Sequence, residues 1–188
     1  MLLEDYRKER LRKLKEIQDK GIDPYPAKSL RNAKISDIVD HFEEKDGQEV
    51  TLAGRIVAIR SFGKLVFIKI RDYFGEIQIF MKAEGETPEG LFGAKDIKLL
   101  DIGDFIEVTG KIGKSQTGEI SIFSNSVRLL TKSLRPLPEK FTNKEERYRR
   151  RYVDMNVNPE VRERLVRRSK FWQATRDFMN KQDRKSVV

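Results

Sequence analysis

The stretch Lys64 to Met81, KLVFIKIRDYFGEIQIFM, alternates apolar and polar residues on either side of Asp72-Tyr73-Phe74-Gly75, and that pattern specifies a β-hairpin. In Leu65 to Arg71 the side chains of Val66, Ile68 and Ile70 point one way, while Leu65, Phe67, Lys69 and Arg71 point the other. In the partner strand Ile77, Ile79 and Met81 oppose Glu76, Gln78 and Phe80. Pairing the apolar faces leaves Phe67 and Gln78 together on a solvent face among Lys and Arg side chains. A ring beside amide and cationic groups is what stacking on, and reading, an unpaired base requires. The competing reading is a ring covered by a neighbouring loop.

The flanking sequence predicts a barrel around this hairpin. A short helix from about Ser36 to Glu44 and a turn at Asp46-Gly47 lead into a long first strand, Glu49 to Arg60, which Gly54 allows to bend. After the hairpin, Thr87-Pro88-Glu89 resembles a helix start, and Leu91, Phe92, Ile97, Leu99 and Leu100 predict a short apolar helix. Phe105 to Ile112 reads as a fourth strand, Lys114 to Gly118 as a polar loop, and Glu119 to Phe123, running on into Val127 to Leu130, as a fifth. Three strands, a helix and two strands are the order of an OB-fold, a five-stranded Greek-key barrel that binds oligonucleotides on strands two and three. In the fifth strand Ile120 and Ile122 face inward and Glu119, Ser121 and Phe123 outward. Glu119 thus falls at the rim of the hairpin's outer face. A carboxylate there repels phosphate but accepts hydrogen bonds from base edges; the alternative is an ordinary surface glutamate.

Charge points to the same class of partner. The formal net charge is +9, and Lys144 to Val188 contributes 14 Lys and Arg against 7 Asp and Glu, so most of the excess follows the barrel. A basic chain of this kind suits a polyanion, although charge alone also fits a solubilising surface. Without cysteine, and with His41 as its single histidine, the sequence offers no disulfide, no thiolate metal site and no His-based metal centre. It has no apolar run of membrane-spanning length and no secretory signal, so a cytoplasmic location and no membrane partner are expected.

The ends of the chain read as helical. Leu3, Tyr6, Leu11, Leu14 and Ile17 give Leu2 to Lys20 a narrow apolar stripe, and Gly21 followed by Asp23-Pro24-Tyr25-Pro26 stops the helix and extends the chain. Such a helix packs on a partner subunit or on its own domain, or lies along RNA, with packing ranked first. Ser133 to Pro138 is a stiff connector, followed by the basic run KEERYRRRYVD. Asn158 as cap, Pro159 at the first helical position and Glu160 in the first turn then begin a helix to about Lys181. Its face of Val161, Leu165, Phe171, Trp172, Ala174 and Phe178 is too apolar for a free tail.

Together, KGIDPYP, VFIKIRDYFGEIQIF, TGEISI, RLLTKSLRPLPEKF and RYRRRYVDMNVNPEVRERLVRRSK resemble the bacterial-type lysyl-tRNA synthetases, class II enzymes with an N-terminal OB-fold anticodon-binding domain. The resemblance covers most of the chain. Aspartyl and asparaginyl enzymes share the barrel and a similar RYxxRYxD run, but RPLPEKF leading into YVDMNVNPEVRERLVRRSK is closer to the lysyl branch. The resemblance implies a barrel that binds the lysine tRNA anticodon, with Phe67 stacking on the middle uracil. Gln78 and Arg60 match groups bonding that base or its backbone, and Glu119 matches a carboxylate reading a neighbouring base. It also implies ATP and Mg²⁺ as cofactors and a homodimer for the full-length enzyme. No catalytic, ATP, lysine or metal residue is assignable in this chain, which is expected to be inactive alone.

The expected architecture is mainly β with helices: an N-terminal helical extension over 1–44, an OB-fold over 45–133, a linker over 134–150 and the incomplete start of a class II catalytic domain over 151–182. Asp183 to Val188 are what GAT CGG AAG AGC GTC GTG encodes, matching a common sequencing adapter, so 183–188 is expected to be a non-native tail. Two rival readings fit the same residues. One is a stand-alone single-strand-binding OB protein without preference for uracil over cytosine. The other is the anticodon module of an aspartyl or asparaginyl enzyme.

Overall fold

The computed structural model of the 188-residue chain describes residues 3–82 and 87–182. The expected helix residue Leu2 and the tail 183–188 therefore lie outside the described residues. The chain divides into two compact units, Met1–Pro136 and Leu137–Val188.

The first unit is a closed barrel with helices α1 (Leu3–Asp19), α2 (Ile35–Asp40) and α3 (Phe42–Lys45). Its strands are β1 (Glu49–Phe62), β2 (Leu65–Arg71), β3 (Glu76–Lys82), β4 (Phe92–Gly93), β5 (Phe105–Lys114), β6 (Ile120–Ser124) and β7 (Ser126–Thr131). The barrel runs β1-β2-β3-β6-β5 and closes through β1–β5 pairing, with β3 and β6 parallel and the other neighbours antiparallel. This is the OB-fold order.

The length of β1 allows the closure. Glu49 to Arg55 pair with β5, and Arg55 to Phe62 pair with β2, with a register shift between Ile56 and Ala58. Gly54 sits at the changeover, where an added Cβ would lie 2.9 Å from the Arg71 carbonyl oxygen, so the strand bends where it has no side chain. Gly110 is tighter still, a Cβ there falling 2.3 Å from the Phe123 carbonyl oxygen. Inside, Val66, Ile68, Ile70, Ile77, Ile79 and Met81 are all buried, as the alternation requires.

Three local expectations change. The helix expected over 91–100 is instead β4, which pairs with Val127 and Ser126 of β7, followed by a single 3₁₀ turn at Ile97–Leu99. Its large residues bury Phe92, Ile97, Leu99 and Leu100 against the core, and an extended entry satisfies that burial better than one helical face. The expected fifth strand is β6 and β7, interrupted at Asn125, each pairing with a different part of β5. The helix before the barrel breaks at His41 into α2 and α3.

The N-terminal helix packs on its own unit. Ile17 is fully buried, and Arg10 donates to the carbonyls of Ser133 and Ile102, each at 2.8 Å. Lys13 pairs with Asp101 at 2.7 Å. Beside it, fully buried Lys132 donates to Asp101 at 2.6 Å, Asp104 at 2.7 Å and the Leu99 carbonyl at 2.8 Å. Burial raises the Asp104 carboxyl above its usual range against the pull of Lys132. For Asp101, burial also pushes upward, but hydrogen bonds and charge from Lys13 and Lys132 together bring it below its usual range. The extended segment that follows is held by buried Glu107, which accepts from Ser29 Oγ and the Leu30 amide, each at 2.6 Å.

The second unit holds α4 (Lys144–Arg149), α5 (Arg151–Val157) and α6 (Pro159–Lys181). Asn143 caps α4 by accepting from the Glu146 amide. Asn158 occupies the N-cap position of α6 as expected, but its side chain makes no capping bond. Its Nδ2 group is committed to the Phe141 carbonyl at 3.0 Å and Asp154 at 2.7 Å. Asp154 is fully buried and also accepts from Arg147 and Arg151 at 2.8 Å, so two cations of the basic run serve the unit's own folding.

Candidate nucleic-acid interface

The outer face of β1-β2-β3-β6 is organised in rungs running across the strands. Register places Arg60 opposite Phe67, Phe67 opposite Phe80, Phe80 opposite Phe123, and Phe123 opposite Lys111. Three rings thus stand in one rung, with a cation at each end. The ring centroids of Phe67 and Phe80 are 5.1 Å apart and those of Phe80 and Phe123 are 5.2 Å apart. The first pair meets edge to face and the second at a tilt of 52°, and aromatic pairs contribute about 0.5–1.5 kcal/mol each beyond area burial, which favours the row. Phe62, 65% exposed, adds an edge contact to Phe67 at 6.2 Å.

The next rung is polar. Lys69 faces Gln78, and Gln78 faces Ser121. Gln78 Nε2 donates to Ser121 Oγ at 3.0 Å, and Ser121 Oγ donates to the Glu119 carbonyl at 3.0 Å. Ser121, expected to face solvent, is on the outer side by register but fully buried, because these partners enclose it. The third rung is ionic, with Arg71 bonded to Glu76 through Nε at 2.6 Å. Lys69 lies between the two acids of this region, 3.6 Å from Glu76 and 4.0 Å from Glu119.

Tight turns fix the β2–β3 hairpin and the β5–β6 connection. Asp72 Oδ1 accepts from the Phe74 amide at 2.6 Å and the Gly75 amide at 2.9 Å, which locks the β2–β3 turn. Glu119 precedes β6 rather than lying within it. The loop before it is closed by the Ser115 amide donating to the Glu119 carbonyl and the Glu119 amide donating to Ser115 Oγ.

The four residues singled out from the sequence therefore lie on one side of the barrel. Phe67 is half-buried on the outer face, Arg60 is exposed beside it, Gln78 lies one rung away, and Glu119 stands at the β6 entry with its side chain 47% exposed. The Arg60 guanidinium has no hydrogen bond or ion pair among the described residues. Alternation also placed Phe80 and Phe123 outward, but nothing in it aligned them with Phe67. Ser121's role had no signal, since a serine on an outer strand face normally meets water.

Residues 50–130 match the tRNA anticodon family described as an OB-fold nucleic acid binding domain. The barrel is thus an OB-fold domain of the tRNA anticodon-binding class. Over most of its length the chain is homologous to proteins named lysine–tRNA ligase. That of Carboxydothermus hydrogenoformans is 45% identical over 176 residues, 92% of this chain and 36% of that protein. Those of Clostridium novyi and Pelotomaculum thermopropionicum are 40% and 44% identical, over 94% and 91% of this chain and 35% and 34% of theirs. The chain spans about a third of the length of these curated relatives. No described helix is long and apolar enough to cross a membrane.

Proposed function

We propose that this barrel binds the anticodon of lysine tRNA as part of a class II lysine–tRNA ligase. The observation that carries the reading is the Phe67 ring on the outer face, flanked by Arg60 and one rung from an oriented glutamine amide. A flipped-out pyrimidine stacks on Phe67, Arg60 meets the base or its backbone, and Glu119 accepts from the edge of a neighbouring base.

Gln78 supplies the choice of base. Ser121 gives its only proton to the Glu119 carbonyl and so acts as an acceptor toward Gln78 Nε2. That leaves the Gln78 carbonyl oxygen for the ligand. Uracil offers an N3–H donor to such an acceptor, whereas cytosine presents an acceptor at the same position.

The complete ligase would activate lysine with ATP and Mg²⁺, work as a homodimer in the cytoplasm, and join lysine to its tRNA. This chain contributes recognition and no catalysis. The test is binding of the chain to lysine anticodon stem-loops carrying U or C at the middle position, beside an aspartate stem-loop. Preference for the lysine loop with U supports the reading. Equal affinity for U and C would leave a sequence-tolerant single-strand binder, and preference for the aspartate loop would place the module with the aspartyl or asparaginyl enzymes.

A further inference from the structure

The aromatic rung does not stop at Phe67. It continues through Phe80 and Phe123 into an open groove of about 430 Å³ lined by those two rings together with Glu49, Lys82, Thr109, Lys111 and Asn125. Lys82 and Lys111 are exposed, and their ammonium groups enter no hydrogen bond or ion pair among the described residues. Lys111 stands directly opposite Phe123, and Glu49 directly opposite Lys111, at the far end of the rung. Half-buried rings beside unpaired ammonium groups are the combination that holds single-stranded nucleic acid without reading its sequence.

We propose that this groove is a second nucleotide subsite: it holds an unpaired nucleotide of the same RNA strand, its base over Phe123 and its phosphate between Lys82 and Lys111. Phe123 is two strand spacings from Phe67, about 10 Å, which a nucleotide following the stacked one along the strand reaches without refolding the loop. Ser124 is not available for readout, because its hydroxyl is committed to the Thr109 and Ser126 carbonyls at 2.7 and 2.8 Å. The subsite therefore holds its base by stacking on Phe123, with no readout from Ser124. Glu49 keeps phosphate away from the far end and onto the Lys82 side.

The subsite rests on the anticodon-binding reading, and one experiment separates the two. Binding of the full 188-residue chain to a lysine anticodon stem-loop is measured over a salt series for wild type, Phe67→Ala, the double variant Lys82→Gln with Lys111→Gln, and Phe123→Leu. 2-Aminopurine at successive loop positions reports stacking. The double variant is expected to weaken binding about three- to tenfold and to lower the salt slope by about 0.7 per lost phosphate contact, leaving the preference for U over C intact. Phe123→Leu is expected to abolish 2-aminopurine quenching at one position adjacent to the base on Phe67. Unchanged affinity, slope and quenching in the groove variants, with Phe67→Ala still weakening binding, would overturn the subsite and leave the anticodon reading standing. If the groove variants weaken binding and Phe67→Ala does not, the subsite holds and the Phe67 assignment falls. No binding by the wild type overturns both.

Discussion

Gln78 and Ser121 stand opposite one another on β3 and β6, and Gln78 Nε2 donates to the buried Ser121 hydroxyl at 3.0 Å. Because that hydroxyl donates onward to the Glu119 carbonyl, the glutamine amide has one orientation that satisfies every partner. Ser121→Ala removes the constraint, and the Gln78 amide becomes free to turn its NH₂ group toward the ligand. The expected result is a U-over-C preference reduced about tenfold, with stem-loop affinity for C rising rather than falling. Ser121→Thr, which keeps the hydroxyl, is expected to retain the preference; competition binding with the two stem-loops measures both.

Phe67→Ala is expected to weaken stem-loop binding by one to two orders of magnitude, since stacking on an aromatic side chain contributes about 1–3 kcal/mol per base. Phe67→Trp keeps a π face and is expected to stay within a few-fold of wild type. Thermal unfolding of both variants separates this loss from damage to the row formed with Phe80, whose centroid lies 5.1 Å away.

Lys132→Met leaves Asp104 buried with its cation removed, and breaking a buried pair on one side costs about 3–5 kcal/mol. Urea unfolding at pH 7 measures it. Burial already holds the Asp104 carboxyl above its usual range, so the variant is expected to recover stability as pH falls and that carboxyl takes up a proton.

Asp101 has the opposite dependence. Its folded pKa lies below the ordinary 3.8, so its ionised form stabilises the fold above that value, and the contribution is lost as pH falls through the lowered value. Asp101→Asn is expected to cost about 1–3 kcal/mol at pH 7 and at pH 5, through its charged hydrogen bonds to Lys13 and Lys132. The difference from wild type should shrink below pH 3.8. Unfolding curves at three pH values check the sign.

Gly110→Ala places a methyl group 2.3 Å from the Phe123 carbonyl oxygen, in the β5–β6 seam. Backbone must move to admit it, so a loss of about 1–3 kcal/mol is expected. Gly118→Ala is the comparison: its φ of +82° carries a conformational cost of about 1 kcal/mol, but open space surrounds it. Melting temperatures of the two variants separate crowding from backbone strain.

The sequence by itself determined which way each strand residue points. Alternation places Phe67, Gln78 and Phe80 outside and Val66, Ile68 and Ile79 inside, because a side chain's face depends only on its parity along the strand. Helix boundaries at Gly21 and Pro159 were legible for the same local reason. Only the tertiary structure decided which outward residues meet. Phe67, Phe80 and Phe123 form one rung because the β2–β3 pairing and the parallel β3–β6 pairing fix how far each strand slides past the next, and parity is silent on that distance. Arg10 reaches the Ser133 carbonyl across 123 positions of chain, and Lys132 reaches Asp104 across 28. Burial made those pairings obligatory, since a charge removed from water must find a partner wherever the fold supplies one.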